Sequence, residues 1–227
     1  MSGLILSHLI GDFLFAFGAL FAIINPYGLA FVFLDKTMSL SESERARVAF
    51  RVAIFSFAVL LVSLFVGSQF LNIFGISIPA LRIAGGLVVA VTGWTMLHAQ
   101  PSAQGSHATS TANYDAVRRM AFFPLTIPLT TGPGTIATAI AIGANRPSDL
   151  DELFSSTVAW FIVAVAMTAL IYHAYKRSSA MARLFGEEGT SVVTRLSAFL
   201  LLCVGVQIMI TGVVEVMKSI PAAGLRI

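Results

Sequence analysis

Six apolar runs of bilayer length, separated by short clusters of charge, leave this chain little choice of fold. They fall at about 13–34, 52–70, 79–97, 121–144, 154–175 and 196–214. About twenty helical residues cross the ~30 Å hydrocarbon layer, and a helix lets a single segment satisfy its own backbone groups in lipid. The expected fold is an all-α integral membrane protein with six transmembrane helices. Hydrophobic residues make up 57% of the 227 and charged residues 11%. Spans and connections therefore use almost the whole chain, with no room for a soluble catalytic domain. The first residues lack the basic start and small-residue cleavage site of a signal peptide and are expected to be retained. Cys203 is the only cysteine, which excludes an intramolecular disulfide and a cysteine metal cluster.

Two of the runs are not written as intact helices. From Thr126 to Thr138 the sequence reads Thr-Ile-Pro-Leu-Thr-Thr-Gly-Pro-Gly-Thr-Ile-Ala-Thr. A proline removes a backbone donor and clashes with the carbonyl four residues earlier, so Pro128 and Pro133 loosen the helix around Pro124 and Leu129. Gly132 and Gly134 permit backbone angles that are costly for other residues. The first run is interrupted by Asn25-Pro26-Tyr27-Gly28. Irregular backbone at membrane depth is tolerated where protein or a water-filled cavity surrounds it, so both breaks should face the interior. The second run reads as uninterrupted, led into by a short cytoplasmic or interfacial helix that starts at a capping box of Ser41 with Glu44. The third carries Arg82 one turn inside, with Gly85, Gly86 and Gly93 as helix-packing positions.

Residues 99–112 are uncharged and rich in Ser, Thr, Ala, Gln and Gly, which suits a flexible connector. The chain divides into a first three-span repeat (1–98), a cytoplasmic connector (99–120) and a second three-span repeat (121–227), within one membrane domain. Placing Pro26 on Pro133 aligns Asn-Pro-Tyr-Gly-Leu-Ala with Gly-Pro-Gly-Thr-Ile-Ala, and placing Arg82 on Arg195 aligns Arg-Ile-Ala-Gly with Arg-Leu-Ser-Ala. Span four crosses in the opposite sense to span one, so the repeats are inverted, as in many secondary transporters. Asn25 is 13 residues after Asp12 and 11 before Lys36; Gly132 is 13 after Arg119 and 14 before Arg146. At ~1.5 Å per residue both breaks fall near the midplane. Connections after spans one, three and five hold 10 of the 14 basic residues, among them Lys36, Arg45, Arg118, Arg119 and Arg183. The other side holds Arg82, Arg146, Lys218 and Arg226, so both termini are expected on the periplasmic face. The net charge of +3 is ascribed to anionic lipid, with no nucleic-acid surface.

Proline is favoured at the first position of a helix and Asn or Gly just before it, so Asn25-Pro26 and Gly132-Pro133 each read as the start of a half-helix. Two such N-termini present unpaired N–H groups and the positive ends of two dipoles, an arrangement suited to a carboxylate or other small anion. The candidate substrate-binding residues are Asn25, Pro26, Tyr27, Gly28, Thr130, Thr131, Gly132, Pro133, Gly134 and Thr135, with Arg82, Arg195 and Gln207 as surrounding residues. Small residues at the breaks either exclude bulky molecules or make the room a small zwitterion fills; simple packing kinks are the alternative. Asp12, Asp35 and Glu215 are the carboxylates available for proton coupling, but all lie near an interface, and Glu215 is spaced to pair with Lys218. Freed carbonyls at the breaks suit sodium. His98, His107 and His173 show no metal spacing and no catalytic triad, so no enzyme, cofactor or metal site is expected. A homo-oligomer is left open by the glycine-bearing faces.

Asn25-Pro26-Tyr27-Gly28, the segment from Phe74 to Gly86, Thr131-Gly-Pro-Gly-Thr-Ile-Ala137 and Gly205-Val-Gln-Ile-Met209 resemble the MarC family of bacterial inner-membrane proteins, grouped with the LysE-type amino-acid exporters. The resemblance covers all six spans. It implies a periplasmic N-terminus and a transporter class, some relatives being described as transporters of small neutral amino acids such as glycine and alanine. The alternatives are efflux of drugs or other metabolites, and a non-transporting scaffold or regulator.

Overall fold

The computed structural model describes residues 2–98, 120–145, 147 and 149–219. The connector 99–119, which contains His107, Arg118 and Arg119, lies outside the described residues, as do Arg146 and Arg226. Among the described residues the chain is helical and has no strand. Span one is α1 (Ser2–Ile24) followed by α2 (Pro26–Lys36). Span two is α3 (Glu42–Phe65), with the short α4 (Gly67–Ile73) after it, and span three is α5 (Ile78–His98). Span four joins a π-type turn (Leu125–Thr130) to α6 (Pro133–Ala144); α7 (Leu150–Lys176) is span five and α8 (Ser178–Ser219) contains span six. Five stretches are long and apolar enough to cross a bilayer, and the pair Met120–Thr130 and Pro133–Ala144, bent by 67°, is a sixth when counted as one broken span and otherwise a re-entrant loop. The last span begins at Glu188, after a turn at Gly186 with φ 68°.

Span two corrects the sequence reading at both ends. The capping box forms: Ser41 Oγ accepts the Glu44 N–H at 3.3 Å and the Glu44 carboxylate accepts the Ser41 N–H at 2.9 Å. The helix it starts is not a separate interfacial segment but runs to Phe65, because no proline or glycine lies between Glu42 and Phe65. At ~1.5 Å per residue it is roughly 36 Å long. Nor does the run continue unbroken to residue 70. Val66 leaves helical geometry at φ −123°, and Gly67 opens α4 where any Cβ would press into Ile140 of α6.

The buried core is drawn from spans one, two, four and five, including Leu20, Ile24, Phe33, Leu64, Met167 and Tyr175, and no buried member of it comes from α5 or α8. These two helices instead pack on each other as an antiparallel arm. Their contacts repeat every seven residues: Pro79 against Gly212, Gly86 against Gly205, Gly93 against Ala198. A Cβ on Gly205 would stand 2.7 Å from Gly86 O, one on Gly93 2.8 Å from Ala198 O, and one on Gly212 2.9 Å from Pro79 O. Only glycine allows backbones this close. Beside Gly212, Arg82 reaches Glu215 and forms an ion pair that closes one end of the arm. Glu215 therefore pairs across the arm and not with Lys218, since the glycine contact brings Arg82 nearer.

The arm docks α5 on α6 and α8 on α2, while α1 packs on α7 and α3 on both α6 and α7. Exchanging the first three spans for the last three leaves this pattern of pairings unchanged. Arg183 to Glu42 at 3.0 Å, with Arg45 to Ser179, gathers the connections after spans one and five at one end. Ser156 to Asp12 at 2.5 Å, with His8 to Glu152 at 3.9 Å, ties the start of span one to the start of span five at the other.

Candidate functional site

The break in span one is a single residue wide. Asn25 takes a left-handed conformation, φ 42° and ψ 61°, which Asn tolerates better than most residues. Its N–H still bonds Phe21 O at 2.8 Å and its carbonyl still accepts Leu29 N–H at 3.0 Å, so the ladder is displaced and not lost. Pro26 then opens α2, and Asn25 Oδ1 accepts the Gly28 N–H at 3.3 Å. That bond removes Gly28 from the donors expected to be free and leaves the Tyr27 N–H. Gly28 is buried where a Cβ would lie 2.5 Å from Ser197 Oγ and 2.8 Å from Asn25 Cγ. Asn25 Nδ2 and the Ser197 hydroxyl thus converge on the first turn of α2, and neither has a side-chain partner among the described residues.

The break in span four is wider and is held by its threonines. Ile127 is extended (φ −114°, ψ 125°), and the Phe123-Pro124 and Ile127-Pro128 bonds are cis. Backbone bonds reach back five residues, Leu129 N–H to Pro124 O at 3.3 Å and Thr131 N–H to Thr126 O at 2.8 Å. Hydroxyls add bonds of the same span: Thr126 to Ala121 O and Thr130 to Leu125 O, both 2.6 Å, and Thr131 to Thr126 O at 3.3 Å. Thr130 Oγ1 also meets the buried Tyr175 hydroxyl at 2.7 Å, and the Tyr175 ring stacks on Phe33. Thr130 and Thr131 therefore stitch the irregular backbone together.

Beyond them α6 starts without a cap. Gly132 is extended and supplies no side chain, Pro133 has no N–H, and the first bond that returns to Gly132 O is from Ile136, at 3.0 Å. Among the described residues the Gly134 and Thr135 N–H groups have no acceptor and the Thr135 hydroxyl has no partner. Both residues are buried, Thr135 being 3% exposed. A Cβ on Gly134 would run into Val89, and one on Gly85 would stand 3.0 Å from Pro133 O.

Both half-helix N-termini thus rest on the arm, α2 at Ser197 and α6 at Val89. In the register that sets Gly93 against Ala198, those two positions are five residues apart, ~7–8 Å along the arm. Arg82, Arg195 and Gln207 are not brought to the breaks: Arg82 pairs with Glu215, while Arg195 and Gln207 are exposed on α8. Ser197 was missed in the sequence. Its signal lay in the internal alignment, where it stands opposite Ala84 as the polar member of an otherwise apolar pair.

A family model described as MarC family integral membrane protein matches residues 10–217. Similar relatives include the UPF0056 inner membrane protein MarC of Salmonella arizonae and that of Salmonella typhimurium, each 36% identical over 200 residues, covering 86% of this chain and 90% of theirs. The protein of that name from Escherichia coli O1:K1 / APEC is 35% identical over 204 residues, with the same coverage. No solved structure matches. By residues matched and by identity over most of its length, the chain belongs to the MarC family of integral membrane proteins.

Proposed function

We propose that this chain is an inner-membrane transporter of a small neutral amino acid or similarly small metabolite, acting by alternating access between inverted three-span repeats. The observation that carries this reading is the buried, uncapped start of α6. Two N–H groups and a hydroxyl without partners, at the positive end of a helix dipole, favour an anionic oxygen at a place where water is scarce. A carboxylate accepts from Gly134 and Thr135, and Asn25, Ser197 and the Tyr27 N–H orient the rest of the molecule. Gly28 and Gly134 keep the space small. The arm touches both half-helices and supplies none of the buried members of the central cluster, so rocking of the arm against that cluster is the motion that would expose the breaks to each side in turn. Coupling to protons or sodium fits this scheme, and the termini are assigned to the periplasm on charge.

Radiolabelled glycine and alanine flux into proteoliposomes, under imposed proton and sodium gradients, tests the reading against Thr135→Val, which keeps the shape and removes the hydroxyl. Saturable flux reduced about tenfold or more in the variant is expected, since one hydrogen bond to a charged group contributes roughly 1.5–3 kcal/mol. Flux equal to empty vesicles under every gradient, from folded protein, rejects small neutral amino acids as substrates.

A further inference from the structure

Gln207 lies 12 residues after Arg195 and 11 before Lys218, so at ~1.5 Å per residue it sits near the middle of the hydrocarbon. Its side chain is exposed, and its carboxamide has no hydrogen-bond partner among the described residues. Gly205 faces α5; at ~100° per residue, positions 203 and 207 point to the opposite side of α8, away from the rest of the protein. On that side Leu196, Leu200, Cys203, Gln207, Ile210 and Val214 recur at alternating intervals of four and three. All are exposed, Leu196 and Leu200 at 56%, Ile210 at 50% and Val214 at 41%. Alternating spacing of this kind is the seam of a left-handed helix pair, in which one polar residue fixes the register. Facing lipid, the amide would leave two donors and a carbonyl unsatisfied.

We propose that this face of α8 is the contact between two copies of the chain, with Gln207 hydrogen-bonded to the partner's Gln207. A carboxamide both donates and accepts, so it complements itself. Copies of a membrane protein insert with the same orientation, and a two-fold axis along the membrane normal brings like residues together at like depth. A second copy therefore presents the matching amide at the required level, and Cys203, one turn away, meets the partner's Cys203. The seam lies on the side of α8 opposite its contact with α5.

Because Cys203 is the only cysteine, the unmodified protein carries its own probe. Purified protein in liposomes, at a series of protein-to-lipid ratios, is treated with copper phenanthroline and run on a non-reducing gel. The expected result is a disulfide-linked dimer whose fraction falls far less than in proportion to dilution with lipid, and a Gln207→Leu protein that needs about fivefold or more protein per lipid to reach the same fraction, the size of a membrane interhelical hydrogen bond. The variant's unchanged elution volume before oxidation under monomerising detergent serves as the folding control. A cross-linked fraction that falls in proportion to dilution, or that is equal in Gln207→Leu, overturns the proposal.

Discussion

At the scale of single residues, Asn25 does two jobs that alanine can do neither of. It holds a left-handed backbone angle and caps α2 through Oδ1. Asn25→Ala loses the cap, about 1 kcal/mol, and adds strain of roughly 1–2 kcal/mol at positive φ. Asn25→Gly loses only the cap. Thermal unfolding in detergent should rank the wild type above Gly and Gly above Ala; Ala equal to Gly would contradict the left-handed assignment. The Asn-Pro pair was legible as a helix start because capping is local chemistry. The role of Thr130 was not, because its partner Tyr175 is 45 residues away and only the fold brings the two hydroxyls together.

Among the elements, the arm shows where pattern reading stops. Gly85, Gly86 and Gly93 were readable as packing positions, but not which helix each receives: Gly85 takes Pro133 of α6, while Gly86 and Gly93 take α8 through an antiparallel register that links residues more than a hundred positions apart. Gly205→Leu forces a side chain against the Gly86 carbonyl and the Ala90 backbone. The cost is about 1–3 kcal/mol or more of stability, read as a lowered unfolding midpoint in detergent; an unchanged midpoint would mean the two helices do not approach this closely. At the opposite end of span two, buried Arg45 donates to Thr37 Oγ1 at 3.2 Å, Thr37 O at 3.0 Å and Leu40 O at 3.1 Å. Lysine lacks that planar fork, so Arg45→Lys should lose on the order of 2 kcal/mol, with the unfolding midpoint again the check. No sequence pattern marked Arg45, since a basic residue after span one was already explained by topology.

For the molecule as a whole, an all-α membrane fold and two interrupted helices were legible because apolar length and Pro/Gly content are composition-level signals. The unequal widths of the two breaks were not, since they depend on which hydroxyls reach which freed carbonyls. The account predicts an active alkaline phosphatase when it is fused after residue 219 and an inactive one when it is fused in the connector 99–119; the reverse result would invert the orientation. Its central claim is that a carboxylate binds the uncapped start of α6. The most direct test is equilibrium binding of radiolabelled alanine to the purified protein, with competition by unlabelled alanine and by alaninamide, which keeps the size and the amine but lacks the carboxylate. The account predicts saturable binding displaced by alanine and at least tenfold more weakly by the amide. Equal displacement by both, or no saturable binding by folded protein, would contradict it.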